Sequence, residues 1–253
     1  MRTALSLSLL SLAACSAPQI QGSPSYALLT PKGDVGLSSA GTPVSDTSLS
    51  KLGIEDSEGT FAPKFDLKWG MPHLMLATQS SSWDGSGTLD VDFGDITAGE
   101  AVSSELDLAL HRAYLTFDFA PTDYLELGVG VGAMVVDLKA KVTANSGSFA
   151  TQEVDELIPL PVLAARAGGR LWKLDLEAVA AGVKADIDGD EATFLDLDLN
   201  AKYALFGEHG YFNGALVAGW RTTSIAVSYE DDFDNVDLDT SFSGPYLGLQ
   251  LGF

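Results

Sequence analysis

Residues 244–253 read GPYLGLQLGF. Leu247, Leu249, Leu251 and Phe253 alternate with Gly248, Gln250 and Gly252, so an extended strand here has one oily face and one small or polar face. The same two-residue period recurs upstream. Leu195, Leu197, Leu199, Ala201, Tyr203 and Leu205 oppose Asp196, Asp198, Asn200 and Lys202, and Leu125, Leu127, Val129, Val131, Ala133 and Val135 oppose Glu126, Gly128, Gly130, Gly132 and Met134. Charges at that frequency would be prohibitive inside a dry sandwich, whereas a hydrated lumen tolerates them. The pattern therefore predicts strands that turn their apolar faces to lipid and their charges inward.

Composition agrees with strands and excludes several roles. The chain has 253 residues, of which 46% are hydrophobic. Beyond the first 14 residues no apolar run approaches the roughly 20 residues that a membrane-spanning helix needs. Lys and Arg total 14 against 35 Asp and Glu, a net charge of −21 that disfavours phosphate-rich partners and argues against nucleic acid.

Arg2 followed by an apolar stretch to Ala14 has the form of a signal peptide over residues 1–14. Leu12-Ala13-Ala14-Cys15 resembles a lipobox, which makes Cys15 a lipidation candidate followed by a linker over 15–24. The competing reading is an ordinary signal-peptidase site with an incidental Cys. Cys15 is the chain's single cysteine, so no internal disulfide forms.

Residues 16–58 are rich in Ser, Gly, Pro and Thr, with a weak strand at 25–38 and a helical turn expected after Asp46. From Phe61 the alternation is continuous: Phe61, Phe65 and Leu67 lie on one face, Lys64, Asp66 and Lys68 on the other. Between Leu106, Leu108, Leu110 and Ala113, Leu115, Phe117 the oily phase changes, which predicts a bulge near His111 and Arg112. Pro159 and Pro161 interrupt the pattern in 155–167. Turns at 70–72, 120–123, 168–170 and 207–210 alternate with longer loops at 84–104, 144–154, 186–191 and 230–235, the rhythm of transmembrane barrels. The expected fold is an all-β, antiparallel up-and-down transmembrane β-barrel over residues 25–253, of ten strands, with eight as the alternative.

The closing strand with its terminal Phe253 resembles that of bacterial outer-membrane barrels, in which a final aromatic serves as the assembly signal. From about Ile54, Asp92-Phe93-Gly94, Thr97-Ala98-Gly99-Glu100, Ser104-Glu105-Leu106-Asp107-Leu108, Leu160-Pro161, Gly219-Trp220-Arg221 and Phe242-Ser243-Gly244-Pro245-Tyr246 are similar to an uncharacterised family of small Gram-negative outer-membrane β-barrel proteins. The resemblance implies the cell outer membrane as the location. It also implies lipid, lipopolysaccharide and the barrel-assembly machinery as partners, and it attaches no activity.

Chemistry-bearing residues are sparse. His73, His111 and His209 are the three histidines, and Ser103 or Ser104 with His111 is the one pairing that suggests a hydrolase, without a nucleophile motif behind it. No catalytic residue and no cofactor is expected. The acidic tips at Asp186, Asp188, Asp190 and at 230–234 offer oxygen ligands for divalent cations that would bridge to lipopolysaccharide, although neither has EF-hand spacing. Inward Arg221, Lys202 and Lys173 share a face with Glu126, Asp175, Glu177, Asp196 and Asp198, and are expected to form an interior charge network. Ten strands enclose far less than the 16 to 18 that leave a pore.

The leading reading is an integral barrel of structural or undefined role with a filled interior. One alternative binds or passes small hydrophobic molecules. Another is a lipid-anchored periplasmic lipocalin-like protein, which requires leucines inward. A lipid-modifying enzyme would need a Ser beside His111.

Overall fold

In the computed structural model, the described residues are 18–39, 45–119, 125–147, 149–187, 190–207, 212–230 and 234–253. The signal peptide, Cys15, His209 and Asp188 lie outside them. Thirteen strand segments follow one another: β1 (Gln19–Ser23), β2 (Ser25–Ser39), β3 (Asp46–Ser48), β4 (Glu58–Phe61), β5 (Lys64–Lys68), β6 (Pro72–Thr88), β7 (Ala101–Asp118), β8 (Leu125–Ala144), β9 (Thr151–Leu171), β10 (Leu174–Ile187), β11 (Asp190–Phe206), β12 (Asn213–Glu230) and β13 (Asp234–Gly252). Every pairing is antiparallel, each segment from β5 to β13 pairs with the next, and β13 returns to β1 and β2. Segments β1 and β2 are one stave broken at Pro24, and β4 and β5 are another broken at Ala62-Pro63. With β3 a short strip beside β2, the result is a closed barrel of ten staves.

The barrel begins earlier than the sequence suggested, because residues 19–23 pair with 64–68 instead of forming a linker. At the other end Phe253 and Ile20 exchange backbone hydrogen bonds of 2.9 Å, which seals the first stave to the last. Asp46 opens β3 and caps no helix; the turn follows it, with Ser48 O accepting from Lys51 and Leu52.

Side chains divide the barrel into two zones. Over the half nearer the short turns, Leu125, Val129, Val131, Leu195, Leu199, Leu247 and Leu251 are exposed outside while Glu177, Asp196, Asp198 and Lys202 are buried inside. On β8 the outer apolar run spans Leu125 to Val135, ten steps at about 3.4 Å tilted by about 40°, or about 25 Å of height. That is the thickness of a transmembrane belt. Above it the pattern inverts. Leu106, Leu108, Leu110, Val136, Leu138, Ile225 and Phe242 turn inward and are buried, while Glu105, Asp107, Lys139 and Lys141 face out.

This inversion explains the phase change on β7, where no bulge exists. The β6–β7 ladder runs unbroken through Thr78↔His111 and Ala77↔Arg112, and the β7–β8 ladder through His111↔Val135 and Arg112↔Met134. The strand keeps its register and leaves the membrane, so oil moves from the lipid face to the core face. For the same reason the strands outrun their expected ends: the loop after β6 shrinks to 89–100 and the connection after β10 to 188–189. Gly168-Gly169, expected to turn, belongs to β9, and the chain reverses at Trp172-Lys173, with Trp172 at φ 55°. A Cβ at Gly168 would sit in ordinary contact with the inner wall, 3.6 Å from the Arg166 guanidinium.

One seam of the wall is incomplete. β9 pairs with β8 from Leu125↔Gly169 to Thr143↔Thr151, but with β10 only as far as Leu163↔Gly182. In an antiparallel ladder each residue directs both its N and its O to the same neighbour, alternating along the strand. Pro159 and Pro161 keep their places opposite Val135 and Ala133, so their nitrogens, which cannot donate, face β10. Leu163 is the last residue of that parity with an N–H before the two prolines, and the β9–β10 ladder ends there.

Candidate functional site

The interior of the membrane-level half is a stack of ion pairs. Inward positions of β5 supply Lys64, Asp66 and Lys68, while β7 to β12 supply Arg112, Asp118, Glu126, Arg166, Glu177, Asp196, Asp198, Lys202 and Arg221. Nearest the short turns, Lys68 contacts Glu126 at 2.5 Å and Asp118 at 3.2 Å, and Arg166 contacts Glu126 at 2.8 Å and Asp118 at 3.5 Å. One level up, Glu177 receives Lys64 at 2.7 Å, Arg166 at 3.1 Å and Lys202 at 3.4 Å, and Asn200 donates to it at 3.3 Å. His73 Nε2 lies 3.0 Å from Asp66 beside this level.

The top level uses phenols as well. Arg221 pairs with Asp198 and donates to Gln79 at 3.0 Å, and the Tyr246 hydroxyl donates to Asp198 at 2.6 Å. Asp196 accepts from Tyr114 at 3.1 Å and Thr223 at 2.7 Å, with Arg112 Nε at 3.5 Å. Inward glycines make this crowding fit. A Cβ on Gly132 would stand 2.5 Å from the Tyr114 ring, and one on Gly219 2.4 Å from Tyr246.

Lys64, Lys68, Arg112, Arg166, Lys202 and Arg221 thus meet Asp66, Asp118, Glu126, Glu177, Asp196 and Asp198, six charges of each sign. Balance matters because a buried charge without a counter-charge is destabilising by several kcal/mol. Below the stack is a polar cavity of about 260 Å³ lined by Asp66, His73, Glu126, Arg166, Glu177 and Lys202 among others, at the short-turn end. Above the stack the lumen is filled with oil: Trp83 stacks on Phe242 with centroids 5.4 Å apart, and Leu89, Phe93 and Ile96 fold inward from the loop after β6. That loop is held by Leu89–Glu100, Phe93–Ile96 and Gly94–Leu37 backbone hydrogen bonds.

Of the residues expected in the network, Arg221, Lys202, Glu126, Glu177, Asp196 and Asp198 converge. Asp175 does not join the stack: it sits at the mouth, half exposed, in a bidentate pair with Arg170 at 2.5 and 2.7 Å. Lys173 lies in the turn between β9 and β10, its ammonium 5.8 Å from the Trp172 ring centroid. Alternation placed Lys64, Asp66 and Lys68 inward but could not show that they meet Glu177 and Glu126 from across the barrel. Arg166 was hidden in the proline-interrupted stretch and Arg112 in the supposed bulge.

Other candidates separate. His111 pairs with Thr78 at 2.8 Å on the exposed outer face, eight residues along the strand from Ser103, and Ser104 points inward. Asp186 and Asp190 lie on paired strands, opposite Glu191 and Ile187 respectively. Among the described residues no group of three or more His, Cys, Asp or Glu comes together to hold a metal.

A closed barrel with a lipid-facing belt and a charged interior is an outer-membrane β-barrel protein, and these two features place it in the outer membrane. The comparison with solved structures agrees on the fold. The Escherichia coli outer membrane protease OmpT superposes with a TM-score of 0.57 at 9% identity, over 95% of this chain and 100% of that one. A Pseudomonas aeruginosa FadL homologue matches at TM-score 0.35 and 11% identity over 96% and 91%, and Yersinia pestis Ail at 0.32 and 13% over 92% and 99%. No family model matches the chain, and neither does any curated protein.

Proposed function

We propose that the protein is an integral barrel of structural role that neither conducts nor catalyses, with its short turns in the periplasm and its oil-filled half standing outside the cell. The observation that carries this reading is the lumen, occupied in sequence by a neutral salt-bridge stack, a leucine-rich core and the 89–100 loop. Terminal Phe253 serves as the signal to the barrel-assembly machinery, and lipid and lipopolysaccharide surround the belt. The protease activity named for the E. coli barrel is not carried over, since His73 is committed to Asp66 and His111 faces out beside Thr78. Purified protein in planar lipid bilayers is expected to give a flat current trace; reproducible unitary steps would refute the sealed interior.

A second reading, binding of small hydrophobic molecules, is favoured by the unpaired seam between β9 and β10 in front of the apolar core. The lipocalin-like arrangement is disfavoured, because its inward leucines occur only above the belt.

A further inference from the structure

We propose that the seam between β9 and β10 admits one acyl chain of an outer-leaflet lipid, which lies along the inner side of β9 with its end among the leucines of the upper core. This rests on the second reading above and names its ligand.

The opening is built into the sequence, as Pro159 and Pro161 withhold the two donors that would extend the ladder past Leu163↔Gly182. Nothing among the described residues pairs with β9 on that side over residues 151–162. The inner face of this half is correspondingly uncovered. Ile158 and Leu160 are only partly buried although they pack on the core, and Glu156, whose parity is inward, is exposed.

Depth selects the occupant. Leu157 and Leu163 are 66% and 73% exposed on the outer side of the same segment, and Pro159 and Pro161 stand opposite Val135 and Ala133 at the top of the belt. The apolar material at that height is the membrane's own acyl chains. An unpaired sheet edge is costly deep in hydrocarbon, so its position at the rim, with carbonyls near water and apolar side chains below, suits a molecule that is polar at one end.

Size narrows the choice further. The apolar cavity reached by Val154 of β9 and closed by Leu49, Leu52, Ile54, Phe93 and Leu138 has about 60 Å³. A dry cavity of roughly 150 Å³ is what accepts a benzene ring, so this one fits the narrow end of a chain and excludes a ring. From Leu160 to Val154 the inner face of β9 runs about 20 Å from the top of the belt into the upper core, at about 3.3 Å per residue.

The test uses the full chain in phosphatidylcholine nanodiscs doped with a phosphatidylcholine that carries a diazirine at the end of one acyl chain. Adducts are mapped by mass spectrometry after photolysis. Adducts at Val154, Ile158 and Leu160 are expected; adducts confined to outward residues such as Leu157 and Leu163 would overturn the proposal. A parallel sample receives a free alkyl diazirine. If the free probe labels the interior and the tethered one does not, lipid is the wrong source and the hydrophobic-binding reading survives. If neither does, both fail. Pro159→Val with Pro161→Val restores the donors and is expected to reduce interior adducts to the level of the unphotolysed control, with the heat-modifiable gel shift retained; undiminished labelling in that folded variant would overturn the lateral route. Should the double variant not fold, Leu160→Trp, which adds bulk to the partly buried inner face of β9, is expected to give the same loss, and undiminished labelling there would equally overturn it.

Discussion

Glu177→Gln is the sharpest probe of the interior, because one carboxylate holds three cations. At an effective dielectric of 20, each contact near 3 Å carries about 5 kcal/mol of gross attraction. Most of that offsets desolvation, so the informative quantity is the penalty for leaving Lys64, Arg166 and Lys202 short of one negative charge. Removing one partner of a buried pair typically costs about 3–5 kcal/mol. For a chain of this size that is about 6–20 °C in melting temperature. The assay is tryptophan fluorescence during thermal unfolding in detergent micelles, with heat-modifiability on a gel as a check that the barrel formed. Glu177→Gln combined with Lys202→Met restores neutrality at five charges of each sign, and is expected to melt above the single variant. Asp175→Asn is the control, since its pair with Arg170 is exposed and belongs to the class worth about 0–1 kcal/mol. A Glu177→Gln shift under about 2 °C, or a double variant less stable than the single by the full cost of a second independent loss, would refute the claim that these charges act as one balanced set.

Three further outcomes follow from the two-zone architecture. Phe242→Ala removes a ring buried against Trp83 and is expected to cost about 3–5 kcal/mol, whereas Leu249→Ala on the same strand faces lipid and is expected to shift the melting temperature far less; equal shifts would contradict the inversion. Burial, then the neighbouring Asp46 and Asp239 carboxylates, raise the pKa of Asp237 above its usual range in the part of β13 that stands clear of the belt. The folded state therefore holds that proton more tightly than the unfolded one, and stability declines as pH rises through the carboxylate range. Asp237→Asn is expected to gain a few tenths of a kcal/mol at pH 7, after allowing for solvent screening, and nothing at pH 3, read from melting curves at the two pH values. Finally, Cys15→Ser protein is expected to stay in the membrane pellet after carbonate extraction, because the belt holds it there whatever happens at Cys15; release into buffer would sink the transmembrane reading.

The membrane-level half was legible because its alternation is strict. Leu195 to Leu205 and Leu125 to Val135 announce both a strand and the face it buries, and the carboxylates between them could only point into a lumen. What one strand's pattern does not contain is partnership. Lys64 and Glu177 are 113 residues apart and meet at 2.7 Å only because the barrel closes. Asp175 and Asp198 have the same parity and similar neighbours in sequence, yet one is at the mouth and the other 2% exposed, since height along the barrel axis is set by stagger between strands and not by composition. Lys173 failed for a related reason: the hairpin reversed four residues later than Gly168-Gly169 suggested, and a position assigned to the wall became part of the turn.

The apparent irregularity at His111 and Arg112 shows why a period must be read together with its environment. A change of oily phase in a strand has two physical origins, an inserted residue that flips the faces or a change of solvent around an unflipped strand. Continuous ladders on both sides of β7 select the second. The consequence extends past β7, because β8, β12 and β13 switch their oily faces in the same region: Val135 gives way outside to Asp137 as Val136 turns in, Trp220 gives way to Thr222 as Ile225 turns in, and Leu247 gives way to Ser243 as Phe242 turns in. Strands that switch together mark a plane, and that plane is a surface of the bilayer. Below it the barrel is held by lipid outside and ion pairs inside; above it the same strands form an ordinary water-soluble protein with a leucine core. Among the described residues, β9 carries its outer apolar Pro159 up to that plane without a neighbour on the β10 side, so the wall is thinnest where lipid and core lie closest together.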